Sequence, residues 1–286
     1  MATKVIEKTS DTYSQANNID MSHELYLSYQ KNKKNKMYHM FTIWGFGLFI
    51  FIWSWLGTDF NVQSILVSSK SIFSFIYEDL IPPDLTVFSS MINPTLDTIY
   101  MSIVGVVITI MFSMILAILG AKTTTPNYII GQVATSLVSF IRAMPSIIIA
   151  IFLVAAFGLG VFSGALALGV SGIGMLGKAY IAALEEIDKG QIEALKSVGA
   201  KWFHIIGQGV MPQFKPTFIG WSLFQFDLNI RDSAILGMIG AGGLGLALMG
   251  NIRLFQYQQA STAILTIFVL IIIVEYITSR LRRKLL

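Results

Sequence analysis

Residues 95–119 read TLDTIYMSIVGVVITIMFSMILAIL, and this stretch decides the fold class of the chain. A helix that spans a bilayer needs about 20 consecutive, mostly apolar residues. The stretch exceeds that length and carries a single charged residue, Asp97, close to its start. We therefore predict a membrane-spanning helix here.

The composition of the whole chain agrees with a membrane protein. Of its 286 residues, 54% are hydrophobic and 13% are charged, which is about half of the roughly 25% charged share of soluble domains. The charges gather at the ends: residues 1–39 hold six Lys, and the last seven residues hold Arg280, Arg282, Arg283 and Lys284. This distribution excludes soluble domains and predicts polar ends around an apolar core.

Several chemistries are excluded by residue type. The chain has no Cys, which rules out disulfides, thiolate catalysis and Cys-bound metals. Its three His residues are far apart, and no pair has metal-ligand spacing. We expect neither a metal nor another cofactor. The pI of 9.2 reflects basic membrane flanks, because no basic patch with interleaved aromatics indicates a nucleic-acid partner.

Apolar runs on both sides of residues 95–119 predict an all-α, polytopic membrane protein with about six transmembrane helices. The fifth span begins at Pro212 or Pro216, since proline suits the first turn of a helix. Residues 127–141 form an amphipathic helix ahead of the third span. The other predicted spans are Met40–Leu56, Pro145–Phe157, Ser163–Gly177, a fifth that ends near Asn229, and Ala260–Ile277.

The Lys and Arg residues near the spans predict the orientation, because cytosolic flanks are enriched in them. Both termini are then cytosolic, which fits an even number of crossings. We divide the chain into a cytosolic tail at 1–39, a first membrane helix at 40–57, an extracytoplasmic loop at 58–93 and a membrane core at 94–283. Within the loop, Val62–Tyr77 has an amphipathic helical pattern.

The longest polar stretch between the later spans lies around residues 180–213, YIAALEEIDKGQIEALKSVGAKWFHIIGQGVMPQ. We call residues 178–204 the coupling segment. Two short helices are predicted in it, 178–187 and 190–202, separated by a turn at Asp188-Lys189-Gly190. In the second helix one apolar stripe is expected, because its members recur at three- and four-residue spacing: Ile192, Leu195, Val198 and Trp202. A plain surface connector between spans is the alternative.

The sequence of this segment resembles the cytoplasmic loop signature of ABC importer permeases. The signature is Glu-Ala-Ala, three residues, Gly, nine residues, Ile, one residue and Leu-Pro. The matching residues are Glu193, Ala194, Gly199 and Pro212, whereas Leu195, Gly209 and Met211 depart from the second Ala, the Ile and the Leu.

Further stretches in the same order are similar to the phosphonate-type branch of that family. They are ArgAlaMetPro at 142–145, GlyLeuGly at 158–160, AsnIleArg at 229–231 and LeuGlyMetIleGlyAlaGlyGlyLeuGly at 236–245.

The resemblance implies a type I permease core of five helices, preceded by one N-terminal helix, in a bacterial inner membrane. It implies an importer for phosphonates or related phosphorus oxyanions, with a separate ABC ATPase subunit, an extracytoplasmic substrate-binding protein and a second copy of this chain as partners. The chain would hold no ATP site of its own. The residues it assigns to ATPase coupling are Glu193, Ala194, Leu195, Gly199 and Pro212. Two alternatives remain: a permease for another small solute, such as phosphite or methionine, and a stand-alone secondary carrier.

Two charged residues stand out in the fifth span. Asp227 and Arg231 are four residues apart and share a helix face. They either belong to the path of an anionic substrate or form a structural ion pair, and we favour the pair. Glu275 in the last span is expected to pair with Arg280 or to extend towards the interface.

Gly240–Gly245 satisfies the GxGxxG pattern, but it lacks the strand and βαβ unit of a dinucleotide site. We interpret these glycines as a broken or closely packed helix.

Overall fold

The computed structural model describes residues 36–58 and 61–285. Most of the predicted cytosolic tail lies outside this part. The chain separates into two compact units, residues 1–71 and 72–286. In the described part of the first unit, helix α1 covers Lys36–Gly57 with every residue exposed. This helix confirms the predicted helical run at Met40–Leu56.

All regular elements in the described ranges are helical. Helix α2, Val62–Ser74, is followed by a π-helical turn, Phe75–Leu80, and a 3₁₀ segment, Leu85–Met91. A second π-helical stretch, Ile205–Val210, precedes helix α9, Met211–Leu236, and a third, Gly237–Ala241, follows it. The helices from α2 onward are α2 Val62–Ser74, α3 Ile92–Gly120, α4 Tyr128–Ala143, α5 Ser146–Phe157, α6 Val161–Glu185, α7 Lys189–Ser197, α8 Trp202–His204, α9 Met211–Leu236, α10 Gly243–Arg253 and α11 Tyr257–Leu285.

The number of spans agrees with the prediction of about six. By length and composition, four helical stretches in the described residues are suited to cross a membrane, and six if each of two bent pairs counts as one span. The second span is helical from Leu85 to Gly120, and α6 and α11 match the fourth and last spans. The predicted amphipathic helix at Val62–Tyr77 matches α2 and the turn after it.

The predicted third span, Pro145–Phe157, is wrong as an independent crossing. Helix α5 has 12 residues, and at about 1.5 Å per residue it covers only about 18 Å. It is bent by 88° from α4. The bend falls at Met144-Pro145, because proline removes a backbone donor and pushes the preceding residue out of the helical region.

The predicted start of the fifth span at Pro212 agrees with the structure to within one residue, because α9 begins at Met211 with Pro212 in its first turn. Helical structure begins at Trp202, ten residues before Pro212, and reaches α9 through the π-helical stretch Ile205–Val210. Pro216 lies inside α9, and the helix continues past Asn229 to Leu236. Pro212 therefore marks the first turn of α9, whereas Pro216 does not begin a helix.

Helix α6 is the centre of the fold, and its glycines set the distances to its neighbours. A Cβ added to Gly174 would lie 2.6 Å from Cα of Arg142 in α4. A Cβ at Gly172 would lie 2.9 Å from Cγ2 of Thr109 in α3, and one at Gly169 would lie 2.8 Å from Ile108. The neighbouring helices therefore pack against the α6 backbone, as small residues permit in membranes.

Two glycine-dependent breaks lie against each other. The α5–α6 turn has Gly158 and Gly160 at φ of 89° and 137°, and the α9–α10 break has Gly240 and Gly242 at φ of 104° and 89°. Only glycine adopts these values at little cost. The Gly160 N–H donates to the Gly240 carbonyl at 3.0 Å. This confirms a broken helix at Gly240–Gly245.

The segment before α3 is attached to α11. The rings of Phe75 and Tyr257 pack edge to face at 5.0 Å. The Asp84 N–H donates to the Gln258 carbonyl at 3.2 Å, and the Thr262 hydroxyl donates to the Asp84 carbonyl at 2.9 Å. Residues 75–91 are therefore an ordered part of the bundle.

A substitution pair tests the packing of α6. Gly174→Ala places a methyl group against the backbone of α4, which cannot move cheaply, so we expect a loss of about 1–3 kcal/mol. The matched control is Gly250→Ala in α10, where the new Cβ meets no atom within 4 Å. Thermal unfolding of the purified protein in detergent measures both. Equal melting temperatures for the two variants would contradict the packing role of Gly174.

Candidate functional site: the coupling segment and the α9–α11 charge cluster

The coupling segment contains one short, well-capped helix. The Asp188 side chain accepts a hydrogen bond from the Gly190 N–H at 2.9 Å and caps the start of α7. Gly199, at φ +77°, closes its end, and the Ala200 N–H donates to the Leu195 carbonyl at 3.1 Å. The predicted helix at 190–202 is therefore too long: it ends at Ser197, and the left-handed glycine begins a turn.

The inner face of α7 packs on the core. Ile192 is 4% exposed and belongs to a buried cluster that includes Leu184 of α6 and Ile205. Leu195 and Trp202 pack against the same cluster, and the Trp202 indole N–H donates to the Thr124 carbonyl at 2.7 Å.

Val198 contradicts the predicted apolar stripe. It is 79% exposed, because α7 has already ended before it and the turn at Gly199 carries it away from the core.

Two positions that depart from the family signature, Leu195 and Gly209, lie next to each other. A Cβ built on Gly209 would lie 2.7 Å from Cδ1 of Leu195, and no other atom is within 4 Å of it. The larger side chain at 195 therefore occupies the space that a side chain at 209 would need. This contact joins α7 to the π-helical stretch that leads into α9.

Gln213 makes the polar link between α7 and α9, and sequence reasoning missed it. Its side-chain amide donates to Oε1 of Gln191 and to the Gly209 carbonyl, both at 2.9 Å. Its Oε1 accepts from the Asp188 N–H at 3.3 Å. A glutamine one residue after Pro212 has no spacing signal, so only the three-dimensional structure identifies it.

The C-terminal end of α6, which leads into the coupling segment, is tied to the α3–α4 loop. The Thr123 hydroxyl donates to the Leu184 carbonyl at 2.8 Å, and the Lys122 N–H donates to Glu185 at 3.3 Å. The end of α6 is therefore fixed both to the α3–α4 loop and to the coupling segment.

The outer face of α7 is open. Glu193 and Ala194 are exposed, as is Pro212 in the first turn of α9. Val198 and Phe203, each 79% exposed, flank the Gly199 turn. A cavity of about 390 Å³ lies beside this face, and charged side chains in its lining include Lys122, Glu185, Glu193 and Lys196. The structure thus brings the five predicted coupling residues to one region, with Leu195 turned inward and the others outward or in turns.

The predicted pair of Asp227 and Arg231 is part of a larger charge cluster. Arg231 Nη2 lies 3.0 Å from Asp227 Oδ2 and 3.0 Å from Glu275 Oε2. The expected partner of Glu275 was therefore wrong: it pairs with Arg231 of α9 and not with Arg280. Asp227 is largely buried, while the side chains of Arg231 and Glu275 are 43% and 58% exposed. Among the described residues, no group of His, Asp and Glu is suited to bind a metal ion.

These features define a class: a polytopic membrane protein whose spans are joined by a short helix with one buried and one exposed face. Residues 110–286 match the family model for the binding-protein-dependent transport system inner membrane component. The chain belongs to this family of ABC importer permeases.

Known proteins agree with this assignment. The chain is 36% identical over 205 residues to the phosphite transport system permease protein PtxC of Stutzerimonas stutzeri, covering 72% of this chain and 74% of that protein. It is 35% identical over 228 residues to the phosphate-import permease protein PhnE of Mycolicibacterium smegmatis, covering 80% of this chain and 43% of that protein. An inward-facing structure of the MetNI methionine ABC transporter aligns with a TM-score of 0.61 at 19% identity, covering 68% of this chain and 96% of that chain, which supports the fold.

The Leu195–Gly209 contact is tested by exchanging bulk between the two positions. Gly209→Ile overfills the site, at a cost of about 1–3 kcal/mol. Adding Leu195→Ala removes the clash, so the double variant should recover, with a coupling energy of about 0.5–3 kcal/mol. The control is Gly207→Ile in the same π-helical stretch, where a Cβ meets nothing within 4 Å. Thermal unfolding gives all values, and purely additive effects would disprove the compensation.

The charge cluster yields a second prediction. Arg231→Gln leaves Asp227 and Glu275 without their shared cation, so the melting temperature should fall. Combining it with Asp227→Asn and Glu275→Gln removes all three charges and should restore part of the loss. If the triple variant melts as low as the single one, charge balance is not what the cluster provides.

Proposed function

We propose that this chain is the membrane permease subunit of an ATP-driven importer for phosphonates or related phosphorus oxyanions. It forms the translocation path, couples to a separate ATPase subunit and receives its solute from an extracytoplasmic substrate-binding protein. The observation that carries the proposal is α7: its inner face is fixed to α6 and α9, while its outer face is free to bind a partner.

The coupling mechanism follows from this two-sided helix. The ATPase binds the exposed side of α7, with Glu193 and Lys196 as polar contacts and Val198 and Phe203 as apolar ones. ATP-driven closure of the ATPases moves α7 as a unit, since Ile192 and Leu195 are packed on the core. The hydrogen bonds of Gln213 pass this movement to α9, and paired membrane cores then alternate between outward and inward access.

The ATP site belongs to the partner in this proposal. Gly172–Lys178, which superficially resembles a phosphate-binding loop, lies within α6, where its glycines contact α3 and α4. Helical backbone in the middle of a packed span has its N–H groups occupied, so it does not cradle phosphate.

The solute class rests on the names of the similar permeases, which transport phosphite or phosphate, and on the stretches at 142–145, 229–231 and 236–245. Methionine is the alternative solute, because a permease of that kind, MetP of Bacillus subtilis, is 34% identical over 154 residues. The substrate-binding protein selects the solute, so the permease sequence discriminates weakly.

A second copy of this chain completes the path in our proposal. Arg231 and Glu275 are exposed on the single chain although both lie within apolar spans. Charges at membrane depth are costly when they face lipid. A face shared with a second copy, or an aqueous path between the two, removes that cost.

The proposed orientation places the N-terminal tail, the coupling segment and the C-terminus in the cytoplasm and the 58–93 region outside. It follows from the basic flanks, above all Arg280, Arg282, Arg283 and Lys284.

The first experiment is purification of the tagged chain with its native partner genes expressed. An ABC ATPase that co-purifies at about one copy per chain supports the proposal. Phosphite, phosphonate and methionine are then compared as stimulators of ATP hydrolysis in proteoliposomes with the binding protein. Recovery of the folded chain alone, with ion-dependent flux, would instead establish a stand-alone carrier.

Gly199 provides a sharper test of coupling. Gly199→Trp puts a bulky side chain on the docking face at a left-handed position, so we expect loss of ATPase association with normal membrane insertion. The control is Gly199→Asn, because asparagine tolerates left-handed backbone. Co-purification of the ATPase is the measurement. Full association of the Trp variant would remove this turn from the docking surface.

A further inference from the structure

A groove of about 410 Å³ lies between α9 and the last turns of α11. Most of its wall comes from α9, and Trp221 and Phe224 give it large apolar surfaces. A single charged side chain, Arg282 of α11, reaches into it. The full lining is Pro216, Thr217, Gly220, Trp221, Phe224 and Arg282.

Arg282 differs from the basic residues around it. Arg280, Arg283 and Lys284 are exposed, as expected for residues that flank a membrane span, whereas Arg282 is half-buried. Its Nε atom is buried and has no hydrogen-bond partner among the described residues. An unpaired polar atom in such a place costs free energy unless a ligand or water occupies the site.

Arg231 is not equivalent, because its charge is already compensated. Two carboxylates lie 3.0 Å from its Nη2. Arg282 has no acidic group within 4 Å in the described part of the chain, and Asp227 feels its charge only at longer range. Of the two cations on this face, Arg282 therefore retains free donors.

The groove lies on the same side of α9 as the charged Arg231–Glu275 pair. Thr217, Trp221, Phe224 and Arg231 follow each other along α9 at spacings of four, three and seven residues, which places them on one side of the helix. Since the exposed Arg231–Glu275 pair makes this side costly to bury in lipid, a ligand of Arg282 would arrive through water.

We propose that Arg282 binds the oxyanion of the transported phosphorus compound in the α9/α11 groove. A guanidinium donates two parallel hydrogen bonds to such a group and excels at this recognition. The inference rests on the proposed function, since it assigns a residue to the same path. The phosphate of a lipid headgroup offers the same chemistry, and the experiment separates the two sources.

The absence of Cys allows a direct probe of the groove. Thr217→Cys introduces a single thiol on its wall, to be modified by small anionic and cationic methanethiosulfonate reagents in the assembled transporter. We expect both reagents to react with this thiol. The anionic reagent should react relatively faster, and adding Arg282→Gln should lower its rate several-fold. Phosphite or a phosphonate should slow modification only when Arg282 is present.

Met111→Cys is the matched control, because Met111 is 60% exposed on α3 among other exposed apolar side chains. We expect it to react with neither charged reagent in the assembled transporter and with both once the protein is denatured, because the thiolate that reacts does not form in lipid. If the thiol of the Thr217→Cys variant behaves like that of the control, the groove faces lipid and the proposal fails. If anionic lipid slows modification at position 217 and the phosphorus compounds do not, the ligand is a headgroup and the proposal fails as well.

Uptake by the complete transporter gives the second readout. Arg282→Gln should reduce phosphite or phosphonate uptake by about tenfold or more, the effect of one lost charge-assisted hydrogen bond. Arg282→Lys keeps the charge but not the planar donor pair, so partial uptake is expected. Arg283→Gln, next to it and exposed, should leave uptake unchanged.

Different results would overturn the proposed function and the proposed role of Arg282. A wild-type transporter that ignores phosphorus compounds and imports another solute overturns the proposed function. A wild-type transporter that imports them, with Arg282→Gln equally active, overturns only the role of Arg282. Co-purification of the ATPase with each variant verifies that the variant is folded.

Discussion

The close approach of backbones along α6 is the constraint on which the rest of this structure depends. Lipid tails are as apolar as leucine, so helices in a membrane gain little from hiding apolar side chains and must gain from close packing. Gly169 and Gly172 let α3 lie against α6, and Gly174 does the same for α4. Because α6 also continues directly into the coupling segment, the helix that fixes the bundle is the one that a docked partner would move.

The short helix of the coupling segment is fixed at both ends and along one face. Asp188 and Gly199 set its two ends, Ile192 fixes its inner face, and Gln213 ties it to the next span. The contact between Leu195 and Gly209 means that the leucine side chain fills the space beside the glycine. A comparison with the signature one residue at a time counts two separate departures, whereas in the structure the two positions share one contact.

The sequence predicts the long spans because length and apolar content alone determine them: residues 95–119 and Ala260–Ile277 fall within α3 and α11. The prediction fails where a local break turns an apolar run, as at Met144-Pro145. Apolar composition does not specify the angle between the helices on the two sides of such a break. Val198 fits the helical period but lies beyond the helix end that Gly199 imposes. The partner of Glu275 was missed because it comes from 44 residues away, and the Asp227–Arg231 pair was found because both members share one helix. Whether the predicted residues act in coupling or substrate binding is a question of partners, which no intramolecular pattern specifies.

The hydrogen bond between Gly160 and Gly240 has a mechanical consequence. It joins the bend between α5 and α6 to the bend between α9 and α10, so one bend cannot move away from the other without breaking this bond. Both the donor and the acceptor of this bond are main-chain atoms. The sequence requirement at this junction is limited to the glycines whose backbone angles other residues avoid. A substitution at any of these glycines would therefore disturb the junction in a single step.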